Sequence, residues 1–147
     1  MHCISSCRRI FWSLLALTFF VAPLARAEVV NLDNAGLKQL IADGVAVVDI
    51  RRVDEWQKTG IIEGSRLIAL PVKKEGNAYD VGAWWGAFRK VVQPDQPVVI
   101  ICLFGDRSKS VANFLDQRAG YTKVYNVTEG IARWIKDGNP TVPYQAK

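Results

Sequence analysis

Apolar residues in this chain come in short blocks, and the blocks alternate between two spacings. "VAVVDI" (45–50) and "VVIIC" (98–102) are unbroken runs bounded by glycine, proline or charge, the pattern of strands covered on both faces. "EVVNL" (28–32), "SRLIALP" (65–71, stopped by Pro71) and "KVYNV" (123–127) are weaker runs of the same kind. Between them the spacing widens to that of helices. "DNAGLKQLIADG" puts Leu37, Leu40 and Ile41 on one face, with Asp33 or Asn34 as N-cap and Gly44 as the stop. "RRVDEWQKTG" reads as one or two turns ending at Gly60. A helix is expected around Trp84 to Val91, another over "SKSVANFLDQRAG", and a last one in "EGIARWIKDGNP", stopped by Gly138 and Pro140. Strand and helix in strict alternation predict an α/β fold: one central, mostly parallel five-stranded sheet with helices on both faces. Ligands of such sheets bind beyond the carboxyl ends of the strands.

The first 27 residues do not follow this alternation. "MHCISSCRR" is basic, "IFWSLLALTFFVA" is apolar, and Ala25-Arg26-Ala27 is a small-x-small triplet, so residues 1–27 are expected to be a secretory signal peptide and residues 28–147 the mature domain. An uncleaved anchor is the alternative, but the run is short of the ~20 residues a spanning helix needs. Cleavage would remove Cys3, Cys7, His2 and three arginines, leaving 16 basic against 14 acidic side chains, a net of +2. No basic stripe with interleaved aromatics remains to suggest nucleic-acid binding. With one cysteine and no histidine, the mature chain has no intramolecular disulfide, no Cys-His pair and no histidine-based metal site. The expected location is exported, the periplasm in a bacterium, with no stable membrane insertion after cleavage.

The remaining thiol, Cys102, stands where "VVIIC" ends and a helix is about to begin, with a six-residue crossing from Cys102 to Arg107 between them. N–H groups of a first helical turn and the helix dipole favour a thiolate there, and thiolate is the nucleophilic form. Gly105 lets the backbone curl with its amides inward, and Arg107 adds a fixed cation with forked donors. The crossing is a candidate cradle for a sulfur or phosphorus oxyanion above a nucleophile. The bland reading makes Cys102 a small buried apolar residue. A lone free thiol in an oxidising compartment argues for use instead.

Three blocks carry a resemblance: "VVDIRRVDEWQKTGIIEGSRLIALP", "PVVIICLFGDRSKSVANFL" and "GYTKVYNVTEGIARWIKDGNP", in this order and spacing. Together they make residues 28–147 resemble a single-domain rhodanese, a thiosulfate sulfurtransferase. The resemblance implies a sulfurtransferase without cofactor or metal. Cys102 would take the outer sulfur of a small anionic donor such as thiosulfate as a persulfide and pass it to cyanide or a thiol, including a protein thiol. It implies Cys102 and Arg107 as catalytic residues, with the backbone amides of Leu103, Phe104, Gly105, Asp106, Arg107 and Ser108 around the sulfur. Four residues separate Cys102 from Arg107, one fewer than in phosphatases that resemble this fold, which favours sulfur over phosphate.

Three features depart from that family's pattern. Gly60-Ile61-Ile62 replaces the usual Gly-His-Ile, Asp106 is expected to offset part of Arg107's field, and Leu103 with Phe104 gives the loop an apolar rim. Asp49 and Arg51 either sit beside the loop or form a strand-end ion pair, with Arg51 on Glu55 as one pairing. Trp84 and Trp85 either line the pocket mouth or anchor the core. Lys109 either attracts anionic donors or is a solvated helix residue. The second functional reading is a sulfur carrier or partner-binding module with little turnover, and the third a phosphatase-like oxyanion enzyme.

Overall fold

The computed structural model describes residues 28–71 and 81–146. The expected signal peptide lies outside the described residues, and no described helix is long and apolar enough to cross a membrane. Ten elements alternate along the chain: β1 (Val30–Leu32), α1 (Asn34–Ala42), β2 (Ala46–Asp49), α2 (Val53–Thr59), β3 (Arg66–Leu67), α3 (Val81–Val91), β4 (Val98–Ile101), α4 (Asp106–Arg118), β5 (Val124–Val127) and α5 (Gly130–Lys136). The strands form one sheet in the order β1-β5-β4-β2-β3, and every pairing is parallel.

The unbroken apolar runs are the two inner strands β2 and β4, which pair Ala46 with Val98 through Asp49 with Ile101. Because side chains alternate along a strand, each run feeds both faces. Val48, Ile50, Val98 and Ile100 point to one face, where Trp84, Phe88, Val111, Ala112 and Leu115 of α3 and α4 cover them. Val47, Val99 and Ile101 point to the other, under Leu37 of α1 and Ile131 and Trp134 of α5. The two weaker outer runs, β1 and β3, are the edges.

Two boundaries differ from expectation. "SRLIALP" pairs as a strand only at Arg66 and Leu67, although Ile68 N–H and Leu70 N–H still reach Asp49 O and Ile50 O at 3.1 Å. Helix α4 begins at Asp106, two residues before the expected Ser108, because left-handed Gly105 (φ 97°) turns the chain into the helix directly. The crossing therefore shortens to Cys102–Gly105, and Arg107 is already helical.

The sheet order places the functional end. The chain leaves β4 toward β5 on one side and β2 toward β3 on the other, so the loops after β2 and β4 diverge and open a crevice between them. Helix α2 rises on one side of that crevice and the Cys102 loop on the other.

Candidate active site

Cys102 follows four fully buried strand residues and is itself buried, the free cysteine among the described residues. Its sulfur accepts from Gly105 N–H at 3.2 Å, from Ser108 N–H at 3.4 Å and lies 3.4 Å from Ser108 Oγ. The Ser108 hydroxyl also donates to Gly105 O at 2.9 Å, so it braces the loop as it faces the sulfur. Of the amides expected to form the cradle, Gly105 and Ser108 already point at sulfur. Those of Leu103, Phe104, Asp106 and Arg107 make no bond among the described residues and remain available as donors.

Two glycines make the curl possible. A Cβ on Gly105 would run into the Thr128 carbonyl, and one on Gly130 (φ 60°) would strike the carbonyls of Cys102 and Leu103. The second approach has a purpose, because the start of α5 holds the loop from behind. Ile131 N–H donates to Cys102 O at 2.9 Å and Ala132 N–H to Leu103 O at 3.0 Å. The place of Gly130 behind the loop is not evident from the sequence pattern. Its signal was a glycine at the start, not the end, of a helical pattern.

Arg107 does not stand free. Its Nη1 and Nη2 donate to both oxygens of Glu55 at 2.9 and 2.6 Å, a forked pair across the crevice. Glu55 is buried, and its Oε2 also accepts the Arg52 N–H at 2.9 Å, closing the start of α2. Burial pushes the Glu55 carboxyl up. The hydrogen bonds from Arg107 and the Arg52 backbone, with the charges of both arginines, outweigh burial and hold it below the usual glutamate range. The Glu55 hydrogen bond in turn raises the Arg107 guanidinium further above its usual range, against burial, and the Cys102 sulfur adds to the rise. Asp106, expected to offset Arg107, is an exposed first-turn residue with no bond to it; Glu55 does the neutralising.

The Arg51–Glu55 pairing is corrected by the structure. Arg51 is fully buried and chelates Asp49 through Nε and Nη2 at 2.7–3.0 Å, and it also donates to Thr59 Oγ1 at 2.7 Å and Gly60 O at 2.8 Å. With its donors turned inward, Arg51 ties the end of β2 to the far end of α2. It thereby sets the position from which Glu55 reaches Arg107.

The remaining candidates separate by exposure. Leu103 turns inward and packs against the α1/α5 core, so the apolar rim is Phe104 alone, 65% exposed. Trp84 is buried in the α3/α4 core with Nε1 donating to Ile68 O at 3.2 Å, and it also lines a cleft that reaches Arg107. Trp85 is away from that cleft, stacked on Phe88 and edge-on to Phe114 and Tyr121. Lys109 is exposed; its backbone N–H donates to Gly105 O at 2.9 Å, and its ammonium group makes no bond among the described residues. Ile61 and Ile62, at the departing Gly-Ile-Ile, are filled by packing: Ile62 is buried and Ile61 bridges Val142.

Comparison with known proteins gives the same frame. The family model described as a rhodanese-like domain matches residues 33–137. The chain is 26% identical over 121 residues to the rhodanese-like/PpiC domain-containing protein 12 of Arabidopsis thaliana, covering 82% of this chain and 37% of that one. It is 38% identical over 56 residues to the thiosulfate sulfurtransferase GlpE of Actinobacillus succinogenes, covering 38% of this chain and 50% of the relative. The chain thus spans about a third to a half of the length of these curated relatives. Among solved structures, a rhodanese-related protein of Thermoplasma volcanium superposes with a TM-score of 0.60 at 27% identity, over 78% of this chain and 99% of that one. The chain belongs to the rhodanese-like domain family.

Proposed function

We propose that this rhodanese-like domain is an exported sulfurtransferase that carries sulfane sulfur on Cys102. The observation that carries the reading is the sulfur itself: an unpaired thiol at the carboxyl end of an inner strand, met by the N–H groups of Gly105 and Ser108 and by the Ser108 hydroxyl. The two N–H groups donate to the sulfur, which suits an anion, while the single hydroxyl proton is shared between the sulfur at 3.4 Å and the nearer Gly105 O at 2.9 Å.

The Cys102 thiolate attacks the outer sulfur of a donor such as thiosulfate. A new S–S bond forms, the donor's S–S bond breaks, and its electron pair leaves with sulfite. The persulfide's terminal sulfur then carries the negative charge, and the unpaired N–H groups of Leu103, Phe104, Asp106 and Arg107 are the donors left to hold it. A thiolate or cyanide takes that sulfur in the second displacement and returns Cys102 to thiolate. No general base is required once the thiolate is formed. The cysteine-to-arginine spacing of four intervening residues supports sulfur over phosphate chemistry.

Two features favour a second reading, a partner-dependent sulfur carrier. Cys102 is only 1% exposed, and Arg107's charge is taken up by Glu55, so a small dianion finds little free positive charge. Intact mass spectrometry of residues 28–147 after thiosulfate, with Cys102→Ser alongside, tests both. A gain of one sulfur on the wild type alone, removed by cyanide with repeated turnover, is the expected result. One sulfur retained against cyanide and small thiols would favour the carrier; none gained by a protein whose thiol still alkylates would remove thiosulfate as donor.

A further inference from the structure

Three buried side-chain atoms lack a hydrogen-bond partner among the described residues: Trp56 Nε1, Ser65 Oγ and Asn126 Oδ1. Two of the three belong to residues that line one cleft of about 700 Å³ beside the edge strand β3. None of that cleft's lining residues belongs to the Cys102 loop. Trp56 is 4% exposed, and its indole N–H can only donate, so what it lacks is an acceptor. The Ser65 hydroxyl can donate to the same acceptor. Buried polar groups are nearly always paired, so two unmet donors in the wall of one cleft mark a place for a ligand atom.

We propose that this cleft binds a small monocarboxylic acid with an apolar body about the size of an aromatic ring. Its carboxylate takes the Trp56 N–H, the Ser65 hydroxyl and the Arg66 guanidinium, and its body lies on Ile61, Ile68, Val91 and Val142. The lining selects that chemistry. Arg66 is an exposed cation whose side chain makes no hydrogen bond or ion pair among the described residues, and its forked donors match a carboxylate. An ionised carboxylate only accepts, and its bonds to N–H and O–H groups are of the stronger, charge-assisted kind. Glu63 lines the same cleft, so a second carboxylate would meet a like charge, and the ligand carries one.

Entry runs past the C-terminal segment. Ile61 and Val142 exchange two backbone hydrogen bonds at 2.9 Å, and beyond them residues 143–146 make none among the described residues. The Tyr144 ring rests against the Trp56 indole, with centroids 5.4 Å apart. Turning Tyr144 aside therefore breaks one ring contact and no hydrogen bond, and it opens the indole's side of the cleft to the acid.

The test reads the unmet donor itself. In proton–nitrogen correlation NMR the Trp56 indole N–H gives its own resonance, assigned by its loss in Trp56→Phe. Phenylacetate and its uncharged amide, phenylacetamide, are titrated into wild type, Ser65→Ala and Arg66→Gln, the last at an exposed position. With the acid, the Trp56 resonance is expected to move downfield and saturate, and the amide to bind roughly tenfold more weakly. Arg66→Gln is expected to weaken the acid alone by roughly threefold, and Ser65→Ala to weaken both compounds. A Trp56 resonance that neither compound moves, or equal affinity for acid and amide, overturns the proposal. So does a shift confined to the other tryptophans, which would place the acid elsewhere. None of these readouts passes through Cys102, so the outcome is independent of sulfur transfer.

Discussion

Glu55 and Arg107, 52 residues apart in sequence, meet through two hydrogen bonds of 2.6 and 2.9 Å directly beside the sulfur loop. The pair sits across the crevice where the loops after β2 and β4 part. It fixes Arg107's side chain and also removes most of its charge from the site.

Replacing Glu55 by Gln keeps an acceptor for the Arg52 N–H but removes the charge, so Arg107 becomes available to anions. KM for thiosulfate is expected to fall by roughly fivefold, about the 1 kcal/mol scale of a partly exposed charge interaction, with kcat little changed. Steady-state sulfite release measures it. A rise in KM would mean that Glu55 serves to aim Arg107 at the donor.

The same pair makes stability depend on acid. Glu55's folded pKa lies below its unfolded value, so its contribution is fully present above the ordinary glutamate range and is lost as pH falls through the folded value. Urea midpoints are therefore expected to drop more steeply between about pH 5 and pH 3 in the wild type than in Glu55→Gln. Parallel slopes would show that the carboxyl is not held by Arg107 in solution.

Arg51→Met should be among the most damaging changes outside the site. It leaves the Asp49 carboxylate buried without its partner, a loss of about 3–5 kcal/mol by analogy with other broken buried pairs. It also releases Thr59 and Gly60, loosening α2. Chemical denaturation measures the cost, and a loss below 1 kcal/mol would mean that water replaces the guanidinium there.

Ser108→Ala removes the hydroxyl that faces both Cys102 Sγ and Gly105 O while leaving the Ser108 N–H in place. The rate of persulfide formation is expected to fall about tenfold, the effect of one hydrogen bond worth ~1.4 kcal/mol, with the melting temperature shifted by only a few degrees. An unchanged rate would assign the hydroxyl to bracing the loop alone.

The alternation of apolar runs was enough to anticipate the layers, because β2 and β4 are covered on both faces and, apart from Asp49 at the end of β2, hold no polar position to confuse the pattern. The thiol's address at a strand end was legible for the same reason. Glu55's role was not, since "DIRRVDEW" offers three carboxylates, Asp49, Asp54 and Glu55, to two arginines, and nothing in the spacing says that Arg51 folds back on Asp49. The early start of α4 was missed because the helical period is carried by Val111, Ala112 and Leu115, while Asp106 and Arg107 belong to the helix through Gly105's left-handed turn. The inward turn of Leu103 is not legible in the sequence, because a loop residue gives no period by which to tell inside from outside.

The bonds from α5 to the carbonyls of Cys102 and Leu103 act on more than those two oxygens. A trans peptide unit is rigid, with its C=O and N–H pointing opposite ways, and no cis unit occurs among the described residues. Drawing the Cys102 and Leu103 oxygens toward Ile131 and Ala132 therefore turns the N–H groups of Leu103 and Phe104 away from α5. The polarity of the loop's first two peptide planes is set by a helix that contributes no side chain to the chemistry.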